Sequence, residues 1–128
     1  MKNLKAFTLV EILIVVGIIA LLAGVAIPNF LRSRVNANQA YAQATLKTIA
    51  HALENYSALN HIYPATTTEL VAVTPPYLNV DYFLGTHYGY TYTSVLASYS
   101  YTITAAPVSS GTGTSTFTVT TGGVLQAF

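Results

Sequence analysis

The sequence predicts an α+β chain: a long N-terminal helix, kinked near Pro28, whose second half packs against a small antiparallel sheet of three to four strands. Three patterns lead there: an apolar opening run, an amphipathic stripe after it, and alternating residues in the C-terminal half. From Ile12 to Ile27 sixteen residues pass without a polar side chain, and reaching back to Phe7 gives twenty-one, broken only by Thr8 and Glu11. At about 1.5 Å per residue that run measures roughly 31 Å, close to the hydrocarbon thickness of a bilayer. A cleaved secretory signal fits less well, because its apolar region is shorter and a small-x-small site should follow it.

After Pro28 the helix turns amphipathic. Ala42, Leu46, Ile49, Leu53 and Tyr56 recur at offsets of three and four, while Asn36, Asn38, Gln43, Lys47, His51 and Glu54 occupy other faces. The helix is therefore expected from about Leu9 to about Asn60. Pro28 lacks an N–H and crowds the preceding turn, so a bend or local melting is expected there, with Gly24 one turn earlier easing it. Tyr63-Pro64 ends this region, and Thr66 with Glu69 forms a capping-box pattern that opens a short helix through Val73. Strands are read from Tyr88, Tyr90 and Tyr92, from Tyr99, Tyr101 and Ile103, and from Phe117 and Val119, with Val124 to Ala127 as a fourth. Residues 93–98, residues 107–114 and Gly122-Gly123 are the expected connectors.

Composition removes several classes of function. Charged residues make up 7%, against about 25% in an ordinary soluble protein. With a formal charge of +1 there is no basic field for nucleic acid, and Arg32 and Arg34 read as interfacial anchors or inter-subunit charges beside an apolar span. Glu54 of a neighbouring subunit is their expected partner. No cysteine is present, which excludes disulfides and thiol-based metal sites. His51, His61 and His87 are far apart, so no metal site is expected. The four acids at 11, 54, 69 and 81 offer no carboxylate pair, and neither a nucleophile elbow nor a phosphate loop occurs, so no catalytic residue and no cofactor are predicted. The tyrosines are explained by sheet packing. The Ser/Thr-rich stretch from Ser109 to Thr121 suits O-linked sugars only by composition, and Asn55-Tyr56-Ser57 is a sequon on the predicted helix.

Glu11 stands out, because an acidic residue deep in a membrane span costs about 2.5 to 3.5 kcal/mol and usually marks function. Its setting is Phe7-Thr8-Leu9-Val10-Glu11, preceded by Lys5-Ala6 and followed by the apolar helix and Pro28. This resembles the N-terminus of the bacterial type IV pilins, including the type II secretion pseudopilins. The resemblance covers Lys2 to about Asn60, and the C-terminal half shares only the layout of strands. It implies a leader at residues 1–6, a filament-core and transmembrane half-helix at 7–28, and a globular domain at 29–128. That domain divides into an amphipathic half-helix 29–60, an αβ-loop 61–86 and a sheet 87–128.

The resemblance further implies cleavage between Ala6 and Phe7 by a prepilin peptidase and N-methylation of Phe7. Alanine stands at position 6 where the family usually has glycine. One helical turn separates Phe7 from Glu11, so the new amine is expected to pair with Glu11, within the chain or on a sister subunit, and set the filament's register. The chain would reside in the inner membrane, then pass into an extracellular homopolymer with the help of an assembly ATPase and a platform protein. Alternatives are a pseudopilin or minor pilin, and a membrane-anchored binding module. Major pseudopilins commonly bind calcium through C-terminal loops, yet no acidic residue follows Asp81, which favours a cysteine-free pilin subunit.

Overall fold

The structure, a computed structural model, describes residues 6–128; the residues before Ala6, with Lys2 and Lys5 of the expected leader, lie outside the described residues. Helix α1 spans Leu9–Asn60, α2 spans Glu69–Ala72, and four strands follow: β1 Tyr90–Ala97, β2 Ser100–Pro107, β3 Phe117–Thr120 and β4 Val124–Ala127. The strands form one antiparallel meander in the order β1-β2-β3-β4. This is the predicted α+β fold. The chain divides into two compact units, one ending at Ser33 and the other comprising Arg34–Phe128.

In the first unit α1 stays helical through Pro28, so no local melting occurs. Asn29 supports this stretch, since its side-chain amide donates to the Val25 carbonyl at 3.1 Å. The large apolar side chains from Leu9 to Leu31 all face outward, with Leu9 81% and Phe30 68% exposed.

In the second unit the predicted stripe is the core. Ala42, Leu46, Ile49 and Leu53 of α1 join Tyr90, Tyr101, Ile103, Phe117 and Val119 from the inner sheet face in one buried cluster. Alternation places those strand residues inward because successive side chains point to opposite faces. Fully burying a side chain of this size stabilises the fold by about 1.5–3 kcal/mol. Three loops seal the edges. Tyr77 and Leu78 donate backbone bonds to the Leu70 carbonyl, Thr116 and Phe128 exchange bonds, and the Asn38 amide donates to the Thr112 carbonyl at 2.9 Å.

Three strand limits and one helix start differ from the sequence reading. β1 begins at Tyr90, after Tyr88 and Gly89 with φ of 50° and 76°, so Tyr88 lies outside the strand and is 65% exposed. That left-handed pair reverses the chain and joins His87 to Tyr90 in an isolated bridge. β1 also continues to Ala97, through residues expected to be a connector, because all eight of its residues pair with β2. Only Ser98 and Tyr99 turn, which leaves Tyr99 79% exposed. In α2 the Thr66–Glu69 box closes on one side only. Glu69 Oε1 accepts from the Thr66 and Ala65 amides at 3.2 Å, but the helix starts at Glu69 and no cap bond is made by the Thr68 side chain.

In the β2–β3 loop Gly113 is fixed by close approach. A Cβ on Gly113 would sit 2.6 Å from Cζ of the fully buried Tyr90 ring, whose hydroxyl donates to the Ser115 carbonyl. Gly113→Ala is expected to destabilise the chain by about 1–3 kcal/mol through overpacking, measured by thermal unfolding of the detergent-solubilised protein. Tyr92 presents the opposite case, a buried hydroxyl with no hydrogen-bond partner among the described residues. Tyr92→Phe should raise stability by about 1 kcal/mol, because it removes an unsatisfied polar group without changing the ring.

Candidate assembly site at the N-terminus

Thr8 is the N-cap of α1. Its backbone N–H and its hydroxyl both donate to Glu11 Oε2, at 2.7 and 2.9 Å, and its hydroxyl oxygen accepts from the Glu11 amide at 3.2 Å. This is a reciprocal capping box, in which the carboxylate also sits favourably at the positive end of the helix dipole. Sequence reasoning recognised the Thr66–Glu69 pattern and missed the same signal in Thr8-Leu9-Val10-Glu11. The Thr-x-x-Glu spacing before an apolar run was the available clue.

The cap alters one expectation. Phe7 precedes the N-cap and is not helical, so it does not stand one helical turn before Glu11. Thr8 intervenes as the immediate partner of the carboxylate. Glu11 Oε1 makes no hydrogen bond among the described residues, which leaves that oxygen for a positive group. Ala6 and Phe7 are both exposed and lie ahead of the helix, outside any regular element.

Other predicted positions fall elsewhere on α1. Gly24 and Gly17 meet no atom within 4 Å of where a Cβ would sit, so nothing inside the chain demands glycine at either place. Arg32 and Arg34 are exposed and form no ion pair among the described residues. Glu54, expected to serve a neighbour's arginine, is already occupied within its own chain. It accepts from the Tyr63 hydroxyl at 3.1 Å, the Tyr101 hydroxyl at 3.0 Å and the Gly122 amide at 2.9 Å, while the Gly123 amide donates to the Tyr101 hydroxyl. One carboxylate thus ties the β3–β4 turn to α1 without a disulfide. His51 and His61 are exposed, and His87 packs edge-on against Tyr82.

The motif at this helix start also matches a family model. Residues 1–27 fit the prokaryotic N-terminal methylation motif. The chain is similar to type IV pilins and to type II secretion core proteins over about half of its length. It is 41% identical over 73 residues to the type IV wide pilus major component PilA4 of Thermus thermophilus, covering 57% of this chain and 56% of that one. It is 36% identical over 77 residues to the type II secretion system core protein G of Vibrio cholerae, covering 59% and 53%. The major pilin PilA of Myxococcus xanthus shares 35% over 66 residues, covering 52% and 30%. The chain thus spans about half the length, or less, of these curated relatives.

The Glu54 cluster makes the chain's stability sensitive to alkali. Burial first, then the hydrogen bond and charge of Glu54, push the Tyr63 and Tyr101 hydroxyls above the ordinary value of 10, and burial pushes Tyr92 up to about 12. The Thr45 side chain beside Tyr92 eases its ionisation without closing a hydrogen bond. Between those values the unfolded chain releases protons that the folded chain keeps, so stability declines with rising pH. It should be fully present below pH 10 and fall away as the pH climbs through about 12. Circular dichroism melts across that range check the direction.

Proposed function

We propose that this chain is a structural subunit of a type IV pilus-like extracellular filament. In this reading a prepilin peptidase cuts between Ala6 and Phe7, Phe7 is N-methylated, and the subunits polymerise through their apolar helices. The observation that carries it is the outward-facing apolar surface from Leu9 to Leu31, with one carboxylate at its beginning. Such a surface is tolerated in lipid or against sister helices and not in water. Membrane and polymer are then the two states of one segment. The inner membrane holds the chain before assembly, and an assembly ATPase with a platform protein supplies the work of extraction.

Glu11 has a defined role in this reading. Thr8 holds Oε2 while Oε1 stays open, and the amine created at Phe7 is the positive group that meets it on a neighbouring subunit. Charge pairing in a low-dielectric core is strong, and a mismatch there is costly, so it sets axial register. Gly17 and Gly24 supply flat places where adjacent helices approach closely. Gly24 and Pro28 together give the helix a place to yield when it leaves lipid. Arg32 and Arg34 end the apolar segment as interfacial and inter-subunit charges.

A second reading keeps the same chemistry and changes the assembly. The similarity to type II secretion core protein G favours a pseudopilin of a short periplasmic filament. Filaments sheared from native cells separate the two, because only the first reading places this chain in them as the main subunit. Intact mass should equal Phe7 to Phe128 plus one methyl group; an uncut chain confined to membranes would reject processing and polymerisation together. Glu11→Ala should lower filament yield by at least about tenfold, as loss of a buried charge partner implies, while the membrane-bound chain stays abundant. A membrane-anchored binding module would tolerate the substitution.

A further inference from the structure

The charges of the globular unit are used unevenly. Glu54 and Glu69 spend their carboxylates on internal hydrogen bonds, Glu69 with the Tyr56 hydroxyl and the Ala65 and Thr66 amides. Asp81 is different. Oδ1 accepts from the Phe83 amide at 3.0 Å, and Oδ2 has no partner among the described residues. The residue is exposed on the αβ-loop, flanked by Val80 at 45% and Leu84 at 77% exposure. An exposed acid beside exposed apolar side chains in the same loop makes a patch suited to an interface.

A complementary hollow lies on the same unit. Lys47, Ala50, His51, Glu54, Gly122 and Gly123 line a concavity of about 260 Å³ beside the β3–β4 turn. The Glu54 charge in its lining is engaged by three donors, while Lys47 in the same lining is exposed. Its ammonium forms no ion pair among the described residues.

The two features cannot meet within one chain. Tyr82, next to Asp81, packs on Tyr92 of β1, and His87 bridges to Tyr90, so this loop belongs to the β1 edge of the sheet. The hollow belongs to the β3–β4 side, and with strands about 4.8 Å apart the full sheet width is roughly 14 Å. Complementary patches on different sides of one subunit make a heterologous, head-to-tail contact, and such contacts generate open helical polymers where a self-complementary patch would stop at a dimer.

We infer that the Asp81 loop of one copy docks in the Lys47 hollow of the next, with Asp81 paired to Lys47 across the subunit boundary. This contact rests on the filament reading and adds to it a second interface, between globular units, where the first is between apolar helices. The Lys47–Asp81 pair selects the neighbour and its register, and the apolar flanks Val80 and Leu84 are covered on docking.

Lys47 is the one lysine from Phe7 onward, which makes a clean test possible. Filaments sheared from native cells are treated with a zero-length carbodiimide, which joins an amine to a carboxylate in contact with it, and the linked peptides are read by mass spectrometry. The expected product joins Lys47 to Asp81 of another copy; lysine links only to other carboxylates, or none, would overturn the contact. In parallel, Lys47→Asp and Asp81→Lys are each expected to lower filament yield by at least about tenfold, since like charges face each other, and the double reversal should restore it. Asp81→Asn keeps an acceptor for the Phe83 amide, so its intermediate loss separates charge from loop folding. Wild-type yield from each single reversal, or no rescue in the double, would also overturn the contact. Absence of the wild-type chain from sheared filaments is the separate outcome that rejects the filament reading and, with it, this interface.

Discussion

Everything in the globular unit depends on one stripe of α1 being covered by the inner face of a nearly uncharged sheet. Ala42, Leu46, Ile49 and Leu53 have no exposure at all, and the side chains above them come from β1, β2 and β3 in strict alternation. No disulfide assists, because the chain has no cysteine. The cover must therefore hold itself in place by area and by a few well-aimed polar bonds. Tyrosine serves both ends: Tyr90 and Tyr101 fill volume in the core, and their hydroxyls reach the Ser115 carbonyl and the Glu54 carboxylate at its margin. A phenyl ring at position 101 would fill the same space and remove the hydroxyl that links the Gly123 amide to Glu54, leaving the Gly122 amide to hold the β3–β4 turn to the helix.

Carboxylates in this chain act mainly as acceptors for uncharged donors. Glu11 and Glu69 each fold back on a preceding threonine, and Glu54 gathers two hydroxyls and an amide. None forms an ion pair among the described residues. Hydrogen bonds to a charged group contribute more than neutral ones, about 1.5–3 kcal/mol each, and they need no second charge to be desolvated. A chain with few charges can in this way use its acids for internal order while Arg32, Arg34 and Lys47 stay exposed for contacts outside it. The same economy links structure to the filament reading, in which one carboxylate oxygen of Glu11 and one of Asp81 are the acceptors left for a neighbour.

Helix α1 was legible almost to the residue, because an apolar run of membrane length and a stripe at offsets of three and four leave no other period to fit. The four-stranded sheet was legible in outline for the same reason, with alternation marking the inner face. The ends of β1 were not. Tyr88 continues the alternation Tyr88, Tyr90, Tyr92 on paper, but positive φ at Tyr88 and Gly89 turns the chain there, and the stretch from Thr93 to Ala97 that looked like a connector is strand because β2 offers β1 eight consecutive partners.

Short-range pattern alone carries the likeness to the type IV pilins, through Phe7-Thr8-Leu9-Val10-Glu11 and the helix that follows, and it marks which face of that helix is core. These are local facts: period, length and a short motif are written in neighbouring residues. Only the tertiary structure decided what the acids do. Glu54 meets Tyr63, Tyr101 and Gly122 across sequence separations as large as 68 residues, and the Lys47 hollow and the Asp81 loop take opposite sides of the sheet only once β1 to β4 are laid in order. Residues far apart in the chain become partners when the fold closes the distance, and no local pattern records which of them will.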